Sequence, residues 1–306
     1  MASEAQPPAG RGRDHAGVLI SALTRRGRQR FTGTLRMDGS PGGSVSMRDG
    51  LVVAASTPAA PGPEPLLLRS GRISEADWTA AFTAGAPEGR LERELVVRGL
   101  LGDAGVQVIT RAAVADALFA MALCGVRTCT ADPGDAAPLL ASDPGLDAER
   151  ATREIRRRLD LAHSWTVLGL SVRSRPRSSR PAGSVPVNAQ RRELLAKVNG
   201  RRTPRDIAFA LGRGLFPVMS DLATLIADGL ATVEPPLAAG SDAVLDPEPR
   251  TGPAVPSPEL PDEGIRSRAA PPPPHWSPPP QEPTGLPRRR HRSTDHEPRF
   301  QRKPPT

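Results

Sequence analysis

The sequence predicts an α+β protein, with a small antiparallel sheet and helices, then a three-helix domain and a disordered, proline-rich tail. Alternating apolar and polar residues between positions 31 and 55 indicate half-buried strands. Three capped helical patterns follow one another between residues 188 and 233. Eighteen of the thirty-six prolines lie after residue 240, where no apolar period appears.

Three short stretches between residues 31 and 55 carry the strand pattern. Turns separate them, and the pair Asp49–Gly50 strongly favours a tight hairpin. The sequence therefore predicts a three-stranded antiparallel meander with strands at 31–37, 45–48 and 51–55. A flexible lead over residues 1–15 and a short helical turn over 17–23 precede these strands.

Helical patterns replace the strand pattern after the third strand. Ser74 and Asp77 form a capping pair at the start of a helix that contains Trp78. A long apolar stripe begins at Asp103 and ends at Cys124, and Asp147 is placed to cap a basic helix. The helices are predicted at 65–71, after Ser74, at 91–98, at 103–124 and at 147–163.

The stretch from Phe31 to Ser56 resembles the strand core of the PatA N-terminal-like domain family, a group of bacterial regulatory domains. The residues at matching points are Gly33, Leu35, Gly43, Asp49, Gly50, Val53 and Ala54. The segments LLLRSGRISEADW and LERELVVRGLL resemble the helical part of such modules. Over residues 16–131 the resemblance implies a regulatory α+β domain, with no catalytic residue to carry over. It departs after Cys124, where the aromatic strand expected for the family is missing.

Residues 185–235 contain three helix starts and stops in close succession. Asn188 is a favourable N-cap, and Thr203 with Asp206 forms a capping box around Pro204. Helices are expected from Asn188 to Gly200, from Thr203 to Gly212 and from Leu215 to Asp228, followed by a short strand at 230–233. Three short helices and a strand resemble a MarR-like winged helix-turn-helix domain, which implies binding to nucleic acid or to protein.

Positive charge is concentrated in one part of the chain. From Arg150 to Arg213 there are sixteen Arg and Lys residues against four acids, a net charge of +12, although the whole chain carries +8. This part includes most of a connector over residues 132–184, in which residues 173–183 are expected to form a flexible, basic linker. A cationic segment of this kind suits a polyanionic partner, although a solvated spacer has the same composition.

The candidate DNA-binding residues lie in the three-helix segment. The third helix contains no Lys or Arg and carries Asp221 and Asp228, so cations on the first two helices are the better candidates for phosphate contacts. Base-edge contacts usually need polar side chains, and two of these are available on the third helix. The candidates are Arg191, Arg192, Lys197, Arg201, Arg202, Arg205 and Arg213 for phosphates, and Ser220 and Thr224 for bases.

The sequence predicts no enzyme, no cofactor and no metal site. It contains none of the motifs GxxxxGK[ST], HExxH or GxSxG, and its five histidines are scattered. Cys124 and Cys129 lack the spacing of a redox pair or a zinc site. There is also no run of eighteen apolar residues and no apolar leader, so the sequence predicts a cytoplasmic protein without a membrane span.

Residues 236–306 are expected to form a disordered, basic, proline-rich tail. The stretch PPPPHWSPPP at 271–280 is compatible with a polyproline II ligand for a partner protein and also with a simple spacer. The basic helix over 147–163 is compatible with a solvated connector and also with a dimerisation helix, so a homodimer stays open.

Two functions are compatible with these features. One is a bacterial transcriptional regulator that binds DNA through the C-terminal winged helix, with the N-terminal domain in a regulatory role. The other is an adaptor or scaffold of a bacterial signalling system, linked to a small GTPase, in which both domains contact proteins. The charge of residues 150–213 favours the first function, and the acidic third helix favours the second.

Overall fold

A computed structural model of the chain describes residues 11–134, 138–179 and 187–233. All of these described residues belong to one unit. The predicted tail over 236–306 therefore lies outside the described residues, as do residues 180–183 of the basic linker.

Five strands form an antiparallel sheet in the described part of the chain. The strands are β1 Gly33–Gly39, β2 Gly43–Arg48, β3 Leu51–Ser56, β4 Val126–Pro133 and β5 Leu146–Asp147. They lie side by side in the order β4-β1-β2-β3-β5. The predicted meander is confirmed as the centre of this sheet. Two further strands, β4 and β5, extend it on both sides.

The α-helices within the described ranges are α1 Arg11–Arg28, α2 Pro63–Leu68, α3 Glu75–Gly85, α4 Leu91–Val97, α5 Asp103–Cys124, α6 Ala148–Ser164, α7 Ala189–Leu195, α8 Pro204–Leu211 and α9 Leu215–Ala227. Every predicted helix is present, and α5 has the predicted bounds. The turn predicted over 17–23 is part of a longer helix that begins at Arg11, so the predicted lead is helical from there. One side of α1 packs against the sheet through the apolar residues Ala16, Leu19, Ala22 and Leu23. This packing stabilises the longer helix.

The turn between β2 and β3 has the predicted geometry. Asp49 and Gly50 have φ values of 50° and 81°, the left-handed pair of a tight hairpin turn. A Cβ atom at Gly50 would lie only 2.4 Å from the carbonyl oxygen of Gly27 near the end of α1. Glycine is therefore required both by the turn and by the close approach of this helix.

The strand β4 is the largest departure from the prediction. It pairs with β1 from Gly33 opposite Pro133 to Gly39 opposite Val126, with an irregularity at Asp38 and Gly39. Only Val126 among the residues of β4 is buried, so no apolar alternation marks this strand in the sequence. Its pairing with a strand that lies far away along the chain determines its conformation.

One face of the sheet is buried under helices. Leu35, Val45 and Met47 point from the central strands into a core that α1, α5 and α6 complete. A second core lies between α2, α3, α4 and the first half of α5. A third core unites α7, α8 and α9 with the end of α5 and with Trp165, which follows α6.

The helix α5 contributes side chains to all three cores. Among the described residues, α5 is the one single helix that is long and apolar enough to cross a membrane. The helices α8 and α9 meet the same criterion of length and composition only when taken together, and they are bent by 115° relative to each other. Of the apolar window of α5, 67% is buried inside the protein. The apolar surface of this helix is therefore used by the protein's own cores.

The three-helix module, which consists of residues 188–233, is joined to the sheet through Asp116 of α5. This buried carboxylate accepts hydrogen bonds from the backbone N–H groups of Leu215 at 2.5 Å and Phe216 at 2.8 Å. The residue before α9, Gly214, has no side chain to cap the helix. Asp116 therefore acts as an N-cap for α9 from 99 residues earlier in the chain.

The surroundings of Asp116 are only partly polar. Burial raises the pKa of its carboxyl group, and the N–H donors of Phe216 and Leu215 together with the Arg158 guanidinium limit that rise. Arg158 lies 3.9 Å from Asp116 and 4.7 Å above the ring of Phe216. That ring also lies 5.1 Å from Phe119, so polar and aromatic contacts both hold the start of α9.

Replacing Asp116 is expected to loosen this junction. Asp116→Ala leaves two buried N–H groups without an acceptor and is expected to lower the free energy of unfolding by about 2–5 kcal/mol. Urea denaturation measures this change. The control is Asp132→Ala, which removes a carboxylate that is 62% exposed and 3.5 Å from Arg36, and it should change stability by less than about 0.5 kcal/mol. Equal losses in both variants would contradict the role assigned to Asp116.

Glu154 on α6 is expected to make stability depend on pH. Its Oε1 atom accepts hydrogen bonds of 2.7 Å from Arg157 and from Arg158. These hydrogen bonds lower the pKa of Glu154 to about 2 from its ordinary 4.5, and the bond from Arg157 makes the largest contribution. Because the folded pKa is the lower one, Glu154 stabilises the protein above pH 4.5, and this contribution is lost as the pH falls towards 2.

Glu154→Gln is therefore expected to destabilise the protein at pH 7 by less than about 1 kcal/mol, since the pair is partly exposed to solvent. The difference from the wild type should shrink as the pH falls below 4.5. Urea denaturation of both proteins at pH 7, 4.5 and 3 measures it. A difference that stays constant over this range would show that the ionised carboxylate does not contribute.

Candidate nucleic-acid interface

The structure separates the predicted DNA-binding residues into two groups, of which the first faces inward. The Nη2 atom of Arg213 lies 2.6 Å from Asp221, and the Nε atom of Arg191 lies 4.0 Å from the same carboxylate. Arg191 also lies 3.9 Å from Asp228. These two arginines are therefore held in ion pairs within the three-helix module.

The helix α9 carries the two residues predicted to contact bases. Most of this helix is buried in the core of the module, and Ser220 and Thr224 lie on its partly exposed side. The Thr224 hydroxyl donates to the backbone carbonyl of Ser220 at 3.1 Å. The same side carries Asp221 and Asp228, so α9 presents carboxylates and short hydroxyls, with no cation of its own.

The second group of predicted residues faces outward. Arg192, Arg201 and Arg205 are exposed, and Lys197 and Arg202 are partly exposed. None of them belongs to a salt bridge among the described residues. Arg192 donates to the backbone carbonyl of Val187 at 3.1 Å, and the other four lie at the end of α7, in the α7–α8 connection or in the first turn of α8.

A second, two-stranded sheet brings further arginines to this connection. It pairs β6, Arg177–Ser178, with β7, Ala231–Thr232, in antiparallel orientation. Arg177 also forms a β-bridge with Asn199, and the N–H group of Gly200 donates to the carbonyl of Pro176 at 2.9 Å. The described part of the predicted flexible linker is therefore bound to the three-helix module by backbone hydrogen bonds, which corrects that prediction for residues up to 179.

Two arginine segments that are distant in the sequence meet at this point. The Nη1 atom of Arg175 donates to the carbonyl of Arg201 at 2.7 Å, and a Cβ atom at Gly200 would lie 3.1 Å from Nε of Arg177. We call the resulting surface the arginine face. It consists of Arg173, Arg175 and Arg177 from one segment and Arg201, Arg202 and Arg205 from the other.

Local hydrogen bonds hold the backbone of the arginine face in one conformation. The Oδ1 atom of Asn199 accepts from the N–H groups of Arg201 at 3.0 Å and Arg202 at 3.3 Å. The predicted capping box of α8 is confirmed, since Thr203 and Asp206 each accept from the other's N–H group. These contacts fix the backbone positions of Arg201, Arg202 and Arg205 in the absence of a partner.

Asp206 does not neutralise the arginine face completely. Its carboxylate accepts a hydrogen bond of 3.0 Å from the backbone N–H of Thr203. That bond is the main reason why the pKa of Asp206 lies below its ordinary value, with smaller contributions from Arg205 and Arg175. Among the described residues, Asp206 is one carboxylate beside Arg173, Arg175, Arg201, Arg202 and Arg205, which leaves an excess of positive charge. Guanidinium groups are suited to bind phosphate oxygens in pairs.

Sequence reasoning treated residues 173–179 as a spacer and did not include their arginines in the site. Arg175 and Arg177 are two residues apart, the spacing that places side chains on one side of an extended chain. Arg173 precedes them in a turn closed by Ser171 and Ser174. This signal was present in the sequence. The position of that chain beside Asn199 depends on β7, which lies more than fifty residues further along.

The remaining candidate chemistry of the described residues is limited. Cys124 and Cys129 are free thiols, and burial raises the pKa of both, which disfavours the reactive thiolate. Among the residues that the structure describes, no group of three or more His, Cys, Asp or Glu side chains is arranged to hold a metal ion.

No family model, no curated protein and no solved structure matches this chain. The resemblances to a PatA N-terminal-like domain and to a winged helix therefore stay predictions from the sequence. The arginine face has to be interpreted from its own geometry and charge.

The contacts of Asn199 lead to a local prediction. Asn199→Ala removes the acceptor of two N–H groups and is expected to lower stability by about 0.5–1.5 kcal/mol. Hydrogen exchange at the amides of Arg201 and Arg202 should become faster. Asn188→Ala is the matched control, because it removes the N-cap of α7 and should leave these two amides unchanged. Equal exchange in both variants would refute the role of Asn199.

Proposed function

We propose that this protein is a non-enzymatic, cytoplasmic bacterial regulator that binds DNA through the arginine face. The observation that carries this proposal is the meeting of two arginine segments on one surface, held by the bond between Arg175 and Arg201. Regularly spaced phosphate groups are the partner that a preorganised set of guanidinium groups fits best.

The proposed phosphate contacts differ from the usual mode, in which a third helix reads the bases. In a winged helix-turn-helix domain the third helix normally enters the major groove. Here Asp221 and Asp228 lie on the partly exposed side of α9, and the two arginines nearest to them are held in ion pairs. We therefore assign the arginine face to phosphate contacts, which position a protein on DNA without reading its sequence.

The N-terminal region has a regulatory role in this proposal. The three-helix module shares a core with α5 through Phe119 and Ala120, and Asp116 caps its third helix. A change in the position of α5 would therefore move the start of α9. This connection is what supports a regulatory role for the sheet and its helices.

The proposal predicts duplex binding that depends on salt. Replacing Arg201, Arg202 and Arg205 with alanine is expected to weaken binding to a duplex of random sequence. The slope of the logarithm of the binding constant against the logarithm of the salt concentration should fall in magnitude by about 2–3, since each phosphate contact contributes about 0.9. Fluorescence anisotropy at several salt concentrations measures both quantities.

A matched control removes the same charge elsewhere. Arg48, Arg93 and Arg153 are exposed, and none of them belongs to a salt bridge among the described residues. Their triple alanine variant should bind duplex with a salt slope close to that of the wild type. The proposal fails if both triple variants behave alike, or if the wild type shows no salt-dependent binding.

An adaptor function is the second candidate, and the strand β4 favours it. Within the described residues β4 pairs only with β1, so the other side of this eight-residue strand is an open sheet edge. Open edges bind extended segments of partner proteins by backbone hydrogen bonds. Ala131 lies two residues before Pro133 in the pairing with β1, so its backbone N–H is on the open side of β4. Ala131→Pro removes that N–H group and should abolish capture of such a partner without changing DNA binding. A partner that the variant captures equally well would argue against this candidate.

A further inference from the structure

The free side of β4 is an unprotected sheet edge. Within the described residues β4 ends the sheet and pairs only with β1. From Thr128 to Asp132 this pairing is regular, and its irregularity leaves Arg127 without a residue opposite it in β1. The regular stretch contains no proline and no lysine, two residues with which proteins commonly block such edges. It is therefore a template for another strand.

The backbone groups at this edge belong to Cys129 and Ala131. A Cβ atom at Gly33 would lie 2.4 Å from the carbonyl oxygen of Asp132, so this oxygen points towards β1. Successive residues of a strand direct their N–H and C=O groups to opposite sides. The groups of Cys129 and Ala131 therefore point away from β1, and each residue offers one donor and one acceptor.

A second copy of β4 fits this edge when a two-fold axis passes through Thr130. Paired strands must keep their side chains on matching faces of the sheet, which an axis perpendicular to the sheet ensures. Cys129 of each copy then lies opposite Ala131 of the other copy. Each of these two pairs exchanges two hydrogen bonds, so the edge groups of Cys129 and Ala131 are satisfied in both copies.

The side chains are compatible with this register. Thr130 lies opposite Thr130 of the second copy, which is a favourable cross-strand pair. Thr128 lies opposite Asp132 of the second copy, so no like charges face each other in this stretch. A two-fold axis through Cys129 would instead place Ala131 opposite Arg127, where β4 is irregular. The strand therefore supports the register centred on Thr130.

Each end of the paired stretch brings opposite charges together. The Nη2 atom of Arg127 lies 3.2 Å from both carboxylate oxygens of Asp38, and Asp38 is opposite Thr128 in β1. The guanidinium group therefore lies on the same face of the sheet as Thr128. Asp132 of the second copy arrives opposite Thr128 and thus beside Arg127. Such exposed ion pairs contribute little affinity, but they favour one register over another.

The opposite face of this edge leaves apolar surface for a second copy to cover. Cys129 and Ala131 pack against the core beneath the sheet but are only partly buried. Beside Cys129 a cavity of about 400 Å³ opens against α1, lined by Gly17, Val18 and Ser21. No atom lies within 4 Å of a Cβ atom placed at Gly17, so there is room for side chains of a second copy.

We propose that the protein forms a homodimer in which the two β4 strands pair in antiparallel orientation across a two-fold axis at Thr130. The five-stranded sheets of both copies then form one continuous sheet. Closed two-fold dimers are the commonest homo-oligomers. This inference rests on the edge of β4 and is independent of DNA binding through the arginine face. It assigns to a second copy the edge that the adaptor candidate gives to another protein.

The register is tested by disulfide crosslinking of the full chain. Cys124 and Cys129 are replaced with serine, and one cysteine is introduced through Thr130→Cys or, as the matched control, through Thr128→Cys. Both threonines are exposed and lie on the same face of β4. At position 130 the two Cα atoms of a dimer are about 4.5 Å apart, which permits a disulfide. At position 128 they are about 13 Å apart, which does not.

Mild oxidation is therefore expected to convert the Thr130→Cys protein into a covalent dimer that a reductant separates again. The Thr128→Cys protein should stay at the mass of one chain on the same non-reducing gel. Equal crosslinking of both proteins, or of neither, would overturn the proposed pairing.

Analytical ultracentrifugation gives a second readout without introduced cysteines. The wild type should sediment at twice the chain mass of 32.3 kDa. Ala131→Pro removes an edge N–H group and should sediment as a single chain, with circular dichroism to verify that it is folded. Cys129→Ser keeps the edge N–H group and should remain a dimer.

A wild type that sediments as one chain at every concentration refutes the dimer and leaves the edge to another protein. Duplex binding is measured on the same samples. A dimer that does not bind duplex keeps the β4 pairing and refutes the proposed DNA binding, whereas a monomer that binds duplex does the reverse.

Discussion

The carboxylate of Asp116 is buried at the point where α9 begins, and it joins the three-helix module to α5. Removing a carboxylate from water is costly, so it is kept there by two backbone N–H donors at 2.5 and 2.8 Å and by the nearby Arg158. The same contacts satisfy the first N–H groups of α9, which Gly214 cannot cap. The three-helix module is thus one body with the sheet and its helices, and α5 is the element that joins them.

The packing within the three-helix module decides which cations are available to a partner. Because α9 packs against α7 and α8, Asp221 lies next to Arg191 and Arg213 and holds them in ion pairs. Among the described residues, the arginines of the α7–α8 connection belong to no salt bridge and stay at the surface, where Arg175 lies beside Arg201. The positive charge of residues 150–213 therefore divides into two groups. Arg191 and Arg213 are neutralised in ion pairs within the module, whereas the arginine face lies at the surface in a preorganised arrangement. Phosphate contact is the chemistry that the arginine face supports.

The helix α5 contributes to all three cores, and Asp116 on this helix caps α9. A ligand that bound one position of α5 more tightly than another would therefore also shift the start of α9. The proposed DNA binding itself needs only the surface charge of the arginine face.

Elements with local causes can be predicted from the amino-acid sequence. They are the helices and caps, such as the Thr203–Asp206 box, and the hairpin at Asp49–Gly50. These depend on hydrogen bonds between residues a few positions apart, which leave a pattern in the sequence. It also indicated half of the arginine face. Only the tertiary structure decided the strand β4, the position of residues 173–179 beside Asn199, the ion pairs of Arg191 and Arg213, and the cap that Asp116 provides. Each of these joins residues that are remote along the chain, and no local pattern specifies which remote groups meet.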